Sequence, residues 1–196
     1  MATSQAIAAT GQAILGLMAD ACPKPEFSAA RFELYQISNF QSPMEEGVSL
    51  YLYRLAVNGA RRNLPPTVGP NGERYRPAIP LDLHYIVSAW AQTAVKQQRL
   101  LGWAVRLLED VPILPAGLLN NFGPEPDIFK PSETVEVILE SLSLQDWNNL
   151  WSAAKTNPPP LSVGYVARMV GIDSTVALFE GAVQTQTREF GVGKVQ

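Results

Sequence analysis

The chain has 196 residues, with 15 Lys plus Arg against 18 Asp plus Glu, and 46% of them are hydrophobic. That excludes a disordered chain and is enough to bury roughly 70% of the unfolded surface around one core. A net charge of -3 excludes binding of nucleic acid through bulk positive charge, while a charged fraction of 17%, below the roughly 25% of an average soluble chain, predicts that some surface rests against a partner.

Residues 4–21 place Ile7, Ile14, Leu15 and Met18 on one helical face, and Pro23 and Pro25 end the helix. The same stretch is uncharged before Asp20 but has no cationic start, and Thr3, Ser4, Gln5, Thr10 and Gln12 dilute it. Neither a secretory signal nor a membrane span is expected, and the protein is read as made in the cytoplasm. Strands are expected at 31–37 and 48–58. In the second, Val48, Leu50 and Leu52 alternate with Tyr51, Tyr53 and Leu55, two faces that each can be buried, which suits an interior strand.

Residues 59–80 hold Pro65, Pro66, Pro70, Pro77 and Pro80 and an Asn71-Gly72 turn. This predicts a long excursion, and long excursions in compact domains serve as contact surfaces or move. Strand character returns at 81–90, with Leu83, Tyr85 and Val87 on one side and His84, Ile86 and Ser88 on the other. Residues 91–110 give the clearest helix, with Ala94, Leu101, Ala104, Val105 and Leu108 inward and Lys96, Arg99 and Arg106 outward. Pro112 and Pro115 end it, and an irregular stretch leads to a strand at 134–141. Ser143 and Asp146 form a capping pair for a short helix bearing Trp147 and Trp151. A last core strand is expected at 161–170, and the polar residues 181–196 read as an extended arm or edge strand. The fold class expected is α+β, a mixed and largely antiparallel sheet flanked by helices.

No phosphate-binding loop, nucleophile elbow or metalloprotease helix occurs. Cys22 is the only cysteine and His84 the only histidine, so no metal and no cofactor is expected. His84, beside Asp82, reads as a structural, hydrogen-bonded histidine, with a small hydrolase or transferase as the remote alternative. Cys22, at a helix end, reads as an inert thiol. Glu136 and Glu140 fall on one strand face about 13 Å apart, too far for paired acid and base chemistry, and read as a solvated row. Trp90, Trp103, Trp147 and Trp151 read as core, with an aromatic binding platform at Trp147 and Trp151 as the weaker alternative. Charge divides the chain more sharply. Between Arg54 and Arg106 eight basic residues face two acids, and between Glu109 and Asp146 eight acids face Lys130 alone. Two such regions can dock head to tail between copies, or be ordinary solvated faces.

Several runs then combine: Pro80-Leu-Asp-Leu-His84-Tyr85, Gln98-Arg-Leu-Leu101-Gly102 followed by Pro112-Ile-Leu, and Trp151 with Leu161-Ser-Val-Gly-Tyr165. Together with Tyr51-Leu-Tyr53 and Asn63-Leu-Pro-Pro66, their order and spacing resemble the cap, or tail-terminator, proteins of phage-tail-like extracellular contractile injection systems. The resemblance covers nearly the whole chain except the last fifteen or so residues. It implies a non-enzymatic protein forming a ring, with six copies expected, on the distal end of an inner tube and its contractile sheath, where it stops polymerisation. Its implied partners are further copies of itself, the sheath protein and the inner tube protein. A single tail-terminator-like domain at 1–180 followed by the arm at 181–196 is expected, as part of a phage-tail-like particle. A neck, connector or baseplate adaptor of a related machine is the alternative. Pro80, His84, Tyr85, Leu101, Gly102, Pro112, Trp151 and Tyr165 are expected to be structural. Arg61, Arg62, Arg74 and Arg76 are expected to contact an acidic surface, and the arm to pair with a sheath edge by strand addition.

Overall fold

The computed structural model describes residues 4–61, 63–69, 71–123, 125–155 and 158–178. In chain order these form α1 (Ala6–Ala21), β1 (Arg31–Tyr35), a 3-10 turn (Ile37–Gln41), β2 (Gly47–Val57), a second 3-10 turn (Gly59–Arg61), β3 (Thr67–Val68), β4 (Arg74–Tyr75), β5 (Ile79–Trp90), α2 (Ala94–Asp110), β6 (Ile113–Pro115), α3 (Ala116–Asn121), β7 (Thr134–Glu140), α4 (Leu144–Ala153) and β8 (Ser162–Ile172). Six strands make one sheet in the order β1-β2-β5-β8-β7-β6. Only β1 and β2 run parallel; the other pairs are antiparallel. The α+β architecture agrees with the sequence reading.

Alternation along the strands explains why both faces are covered, because successive side chains point to opposite sides. Val48 and Leu50 of β2, Leu81, Leu83, Tyr85 and Val87 of β5, and Val135 and Val137 of β7 form one face. That face meets Ile14 and Met18 of α1, Leu100, Ala104 and Leu108 of α2, and Leu119 of α3. Tyr85 and Tyr165 carry hydroxyls up to these helices: Tyr85 donates to the Ile7 carbonyl at 3.4 Å and Tyr165 to Glu109 Oε1 at 3.1 Å. Burial holds both phenols well above the usual tyrosine range. The other face carries Tyr35, Ile86, Tyr51 and Tyr53, packed against Phe40, Met44 and the α4 residues Trp147 and Trp151.

Helix starts follow their caps. Thr93 Oγ1 accepts from Lys96 N at 3.3 Å, so α2 begins at Ala94 rather than at residue 91. Ser143 Oγ accepts from Asp146 N at 3.1 Å, as its sequence pattern predicts. One backbone approach demands glycine. Gly47 has φ +147, and a Cβ there would lie 2.0 Å from the Arg31 carbonyl oxygen, at the start of the β1–β2 pairing.

Residues 59–80 are more regular than a single excursion. A 3-10 turn opens them, β3 pairs with β4 around the Asn71-Gly72 turn, and β5 already starts at Ile79. Residues 176–178 extend the β3–β4 ribbon: Arg76 N donates to Val176 O at 3.1 Å and Leu178 N to Arg74 O at 2.7 Å. Pro80 fits inside β5 because it sits one residue from the strand start, where its carbonyl still accepts from Asn58 N at 2.9 Å. β6 and α3 replace the irregular stretch expected after Pro112, and β1 ends at Tyr35, two residues early, in a 3-10 turn. Residues 181–196, the expected arm, lie outside the described residues. No helix among the described residues is long and apolar enough to cross a membrane.

Candidate protein interface

His84 lies in the centre of the aromatic face, and its partner is not Asp82. Nδ1 of His84 is 2.9 Å from both carboxylate oxygens of Glu140. Asp82 instead accepts from the Asn58 side chain at 3.0 Å and from Met169 N at 3.3 Å. His84 and Glu140 belong to β5 and β7, which β8 separates, so their side chains bridge about two strand spacings, roughly 9–10 Å. The register helps: Val166 stands opposite His84 and Gly164 opposite Glu140. Tyr53, the extra residue where the β2–β5 register shifts between Leu52 and Arg54, donates its hydroxyl to Glu140 Oε2 at 2.9 Å. Burial, the Tyr53–Glu140 hydrogen bond and the Glu140 charge together hold the Tyr53 phenol well above the usual tyrosine range.

This cluster corrects one expectation: Glu140 is not part of a solvated row, since its side chain is only 22% exposed and it binds two groups. Glu136 stays half-exposed, 3.7 Å from Arg168. Chemically, the cluster is a tie across three strands. His84 spends Nδ1 on Glu140, and the neighbouring hydroxyl, Tyr53, is itself bound to that carboxylate. Cys22 is buried, which pushes its thiol up and keeps it unreactive. Among the described residues no group of three or more His, Cys, Asp or Glu side chains could hold a metal ion.

The expected basic contact residues separate. Arg61 ends the second 3-10 turn and lines a cavity of about 440 Å³ with Leu64, Pro80 and Ile113. Arg74 lies on β4 and Arg76 just beyond it, both exposed on the ribbon; Arg62 lies outside the described residues. The two-region charge pattern is also weaker in space than in sequence. Lys96 pairs with Glu46 at 2.6 Å, Arg99 with Glu26 at 2.9 Å, and Arg106 with Asp110. Glu26 and Glu46 precede the basic stretch and Asp110 lies one turn along α2, so three of its cations are matched by acids from outside it.

Of the residues expected to be structural, Tyr85, Trp151 and Tyr165 are buried and Pro80 is in β5. Leu101 packs half-buried on α2, whereas Gly102 is exposed, with open space where a Cβ would sit. Pro112 is exposed, and its carbonyl accepts from Val137 N at 2.7 Å. The tryptophans divide. Trp103 packs edge-on to Phe32, and Trp90 lies 6.0 Å from Tyr35. Trp151 is buried against Phe40, but Trp147 stacks on it at 5.9 Å while staying half-exposed. A groove of about 580 Å³ opens there, between α4, Trp90 and Pro158, Pro159 and Pro160. Helical spacing alone could not separate the buried ring from the open one; the three prolines that wall the groove were the available signal.

No curated protein matches the chain. Among solved structures, it is similar to the sheath/tube terminator of the extracellular contractile injection system PVC in its extended state, with 13% identity and a TM-score of 0.61. That likeness covers 96% of this chain but 64% of the terminator, so the chain spans less than two thirds of its length. A weaker likeness, with 12% identity and a TM-score of 0.44, is to the tube-terminating cap of the anti-feeding prophage, over 90% of this chain and 60% of the cap. The family model described as the Pvc16 N-terminal domain matches residues 19–186, and the chain belongs to that family.

Proposed function

We propose that this chain is a structural terminator of a contractile injection system, a non-enzymatic cap seated on the end of the inner tube and sheath. The observation that carries the reading is membership of the Pvc16 N-terminal domain family over residues 19–186. A fold shared with a sheath/tube terminator over 96% of the chain supports it. On this reading residues 1–180 form one terminator-like domain and 181–196 an arm. Copies of the chain, six in the expected ring, meet sheath and tube with one surface only. The chain is assembled in the cytoplasm into a phage-tail-like particle.

The physical requirement is one-sided complementarity. A growing polymer end presents unpaired strand edges and repeating charge, and a cap satisfies these while offering no equivalent surface outward. Arg61 at the end of the second 3-10 turn and Arg74 and Arg76 on the ribbon, together with Arg62, contact an acidic surface of tube, sheath or neighbouring subunit. The arm adds a strand to a sheath edge. Deletion of the gene tests the whole reading: tubes and sheaths of uncontrolled length or poor integrity are expected, and particles of normal length and integrity would refute it. Truncation after Ala182 tests the arm, which predicts weaker association with sheath.

A further inference from the structure

The groove beside α4 has the chemistry of a site for a proline-rich strand. Its floor is the Trp147–Trp151 stack, with ring planes 16° apart. Leu144 at its rim is 77% exposed, and Leu161 is 39% exposed. Trp90 Nε1 is taken up by Ser49 Oγ at 2.8 Å and the Gln97 amide by the Ala89 carbonyl at 2.7 Å. Trp147 Nε1 and the Asn148 amide have no partner among the described residues. An apolar, aromatic trough with a few free donors suits a polyproline II segment, whose carbonyls are unpaired and which brings few N–H groups of its own.

The chain carries such a segment at the opposite end of its sheet. In Asn63-Leu64-Pro65-Pro66, both prolines are exposed, and each residue before a proline is driven to extended geometry. Leu64 lies beside Pro80 near the start of β5, whereas Trp90, in the groove, is its last residue. Eleven strand steps separate Ile79 from Trp90, about 36 Å. Asn58 and Thr67 are both anchored, the first to Pro80 and Asp82 and the second to Tyr75. A loop held at both ends within ten residues reaches out about 15 Å at most, so it cannot fill its own groove. Charge points to a second copy: Asp146 is exposed on α4, the helix that walls the groove, with Lys155 beyond the helix end, while Arg61 next to the loop makes no ion pair among the described residues.

We infer that the Leu64-Pro65-Pro66 loop of one copy docks in the Trp147-lined groove of the next. The contact is heterologous, joining opposite ends of identical molecules, so repetition closes a ring or winds a filament according to its rotation. Its place in a cap rests on the terminator reading above.

The test is a Pro65→Cys/Leu144→Cys chain, mildly oxidised both as concentrated isolated protein and within complete particles; the native Cys22 is buried. A ladder of disulfide-linked multimers is expected, absent from each single-cysteine chain. Leu144→Asp, at an exposed position, is expected to weaken self-association at least tenfold with an unchanged melting temperature. Monomer in both settings, or ladders of equal strength in a single-cysteine chain, would overturn the docking. Occupied particle ends without cross-links overturn the docking and spare the terminator reading. Cross-linked multimers beside unoccupied ends support the docking and count against that reading.

Discussion

The two faces of the sheet are built on different principles. Under α1, α2 and α3 the face is mostly aliphatic, and its two tyrosine hydroxyls both terminate on helices. The opposite face is aromatic, holds a half-buried His84–Glu140–Tyr53 cluster, and is covered by one ten-residue helix and a 3-10 turn. The first face needs no partner, because its apolar surface is already removed from water. The second leaves a tryptophan ring and an exposed leucine uncovered. Burial is concentrated on one side and open aromatic surface on the other.

The sharpest way to break this division is to compare truncations. Trp151→Ala is expected to cost about 3–5 kcal/mol, since the ring is buried against Phe40. Trp147→Ala, one helical turn away and half-exposed, is expected to cost about 1–2 kcal/mol. Equal losses in urea unfolding would mean that the groove is an ordinary part of the core. Leu100→Ala on the helix-covered face, fully buried, is expected to cost about 2–5 kcal/mol without changing association between copies.

Glu140 joins three strands on the open face. Glu140→Ala removes the acceptor of both His84 and Tyr53, and should cost about 1–3 kcal/mol because two half-buried polar groups lose their partner. Calorimetry of Glu140→Ala, Tyr53→Phe and the double variant checks it. A double variant whose loss equals the sum of the single losses would show that the two groups act independently.

These sites also show what local sequence can and cannot reveal. The alternation of Val48, Leu50 and Tyr51 was enough to place β2 inside the sheet with two buried faces. The Ser143–Asp146 cap fixed the start of α4. β6 and α3 were not legible, since three and six residues are too short for a period to emerge, and Pro112 and Pro115 read as breaks. The His84–Glu140 bond was equally hidden, because a long-range pair bridging over an intervening strand depends on strand order, which neither residue encodes locally. The fold also decided which charges are matched: Lys96, Arg99 and Arg106 find acids across or along it.

Alkaline pH tests both faces together. Tyr53, Tyr85 and Tyr165 are raised above the usual tyrosine value, with burial the leading cause in each, and Tyr35 is raised for the same reason. In the unfolded chain these phenols ionise near about pH 10, whereas the folded chain retains their protons. Above that pH the unfolded state therefore binds fewer protons, so stability is full below about pH 10 and falls as pH rises beyond it. The melting temperature should drop steeply above that point. Tyr85→Phe should flatten the drop by removing one titrating group from the helix-covered face, and an unchanged slope would remove Tyr85 from the account.

The smallest effect on stability is expected at the ribbon end. Replacing Arg61, Arg74 and Arg76 together by Ala should shift unfolding by no more than about 0.5 kcal/mol per site, as for exposed surface positions, yet reduce occupancy of particle ends. The pairing of Arg76 N with Val176 O and of Leu178 N with the Arg74 carbonyl uses only backbone, so the ribbon itself survives the substitutions. Imaging of particle ends with the triple variant, alongside its melting curve, separates the two roles. A chain that melts normally and still caps normally would strip these arginines of any part in docking, leaving the aromatic groove as the surface on which the open face must be explained.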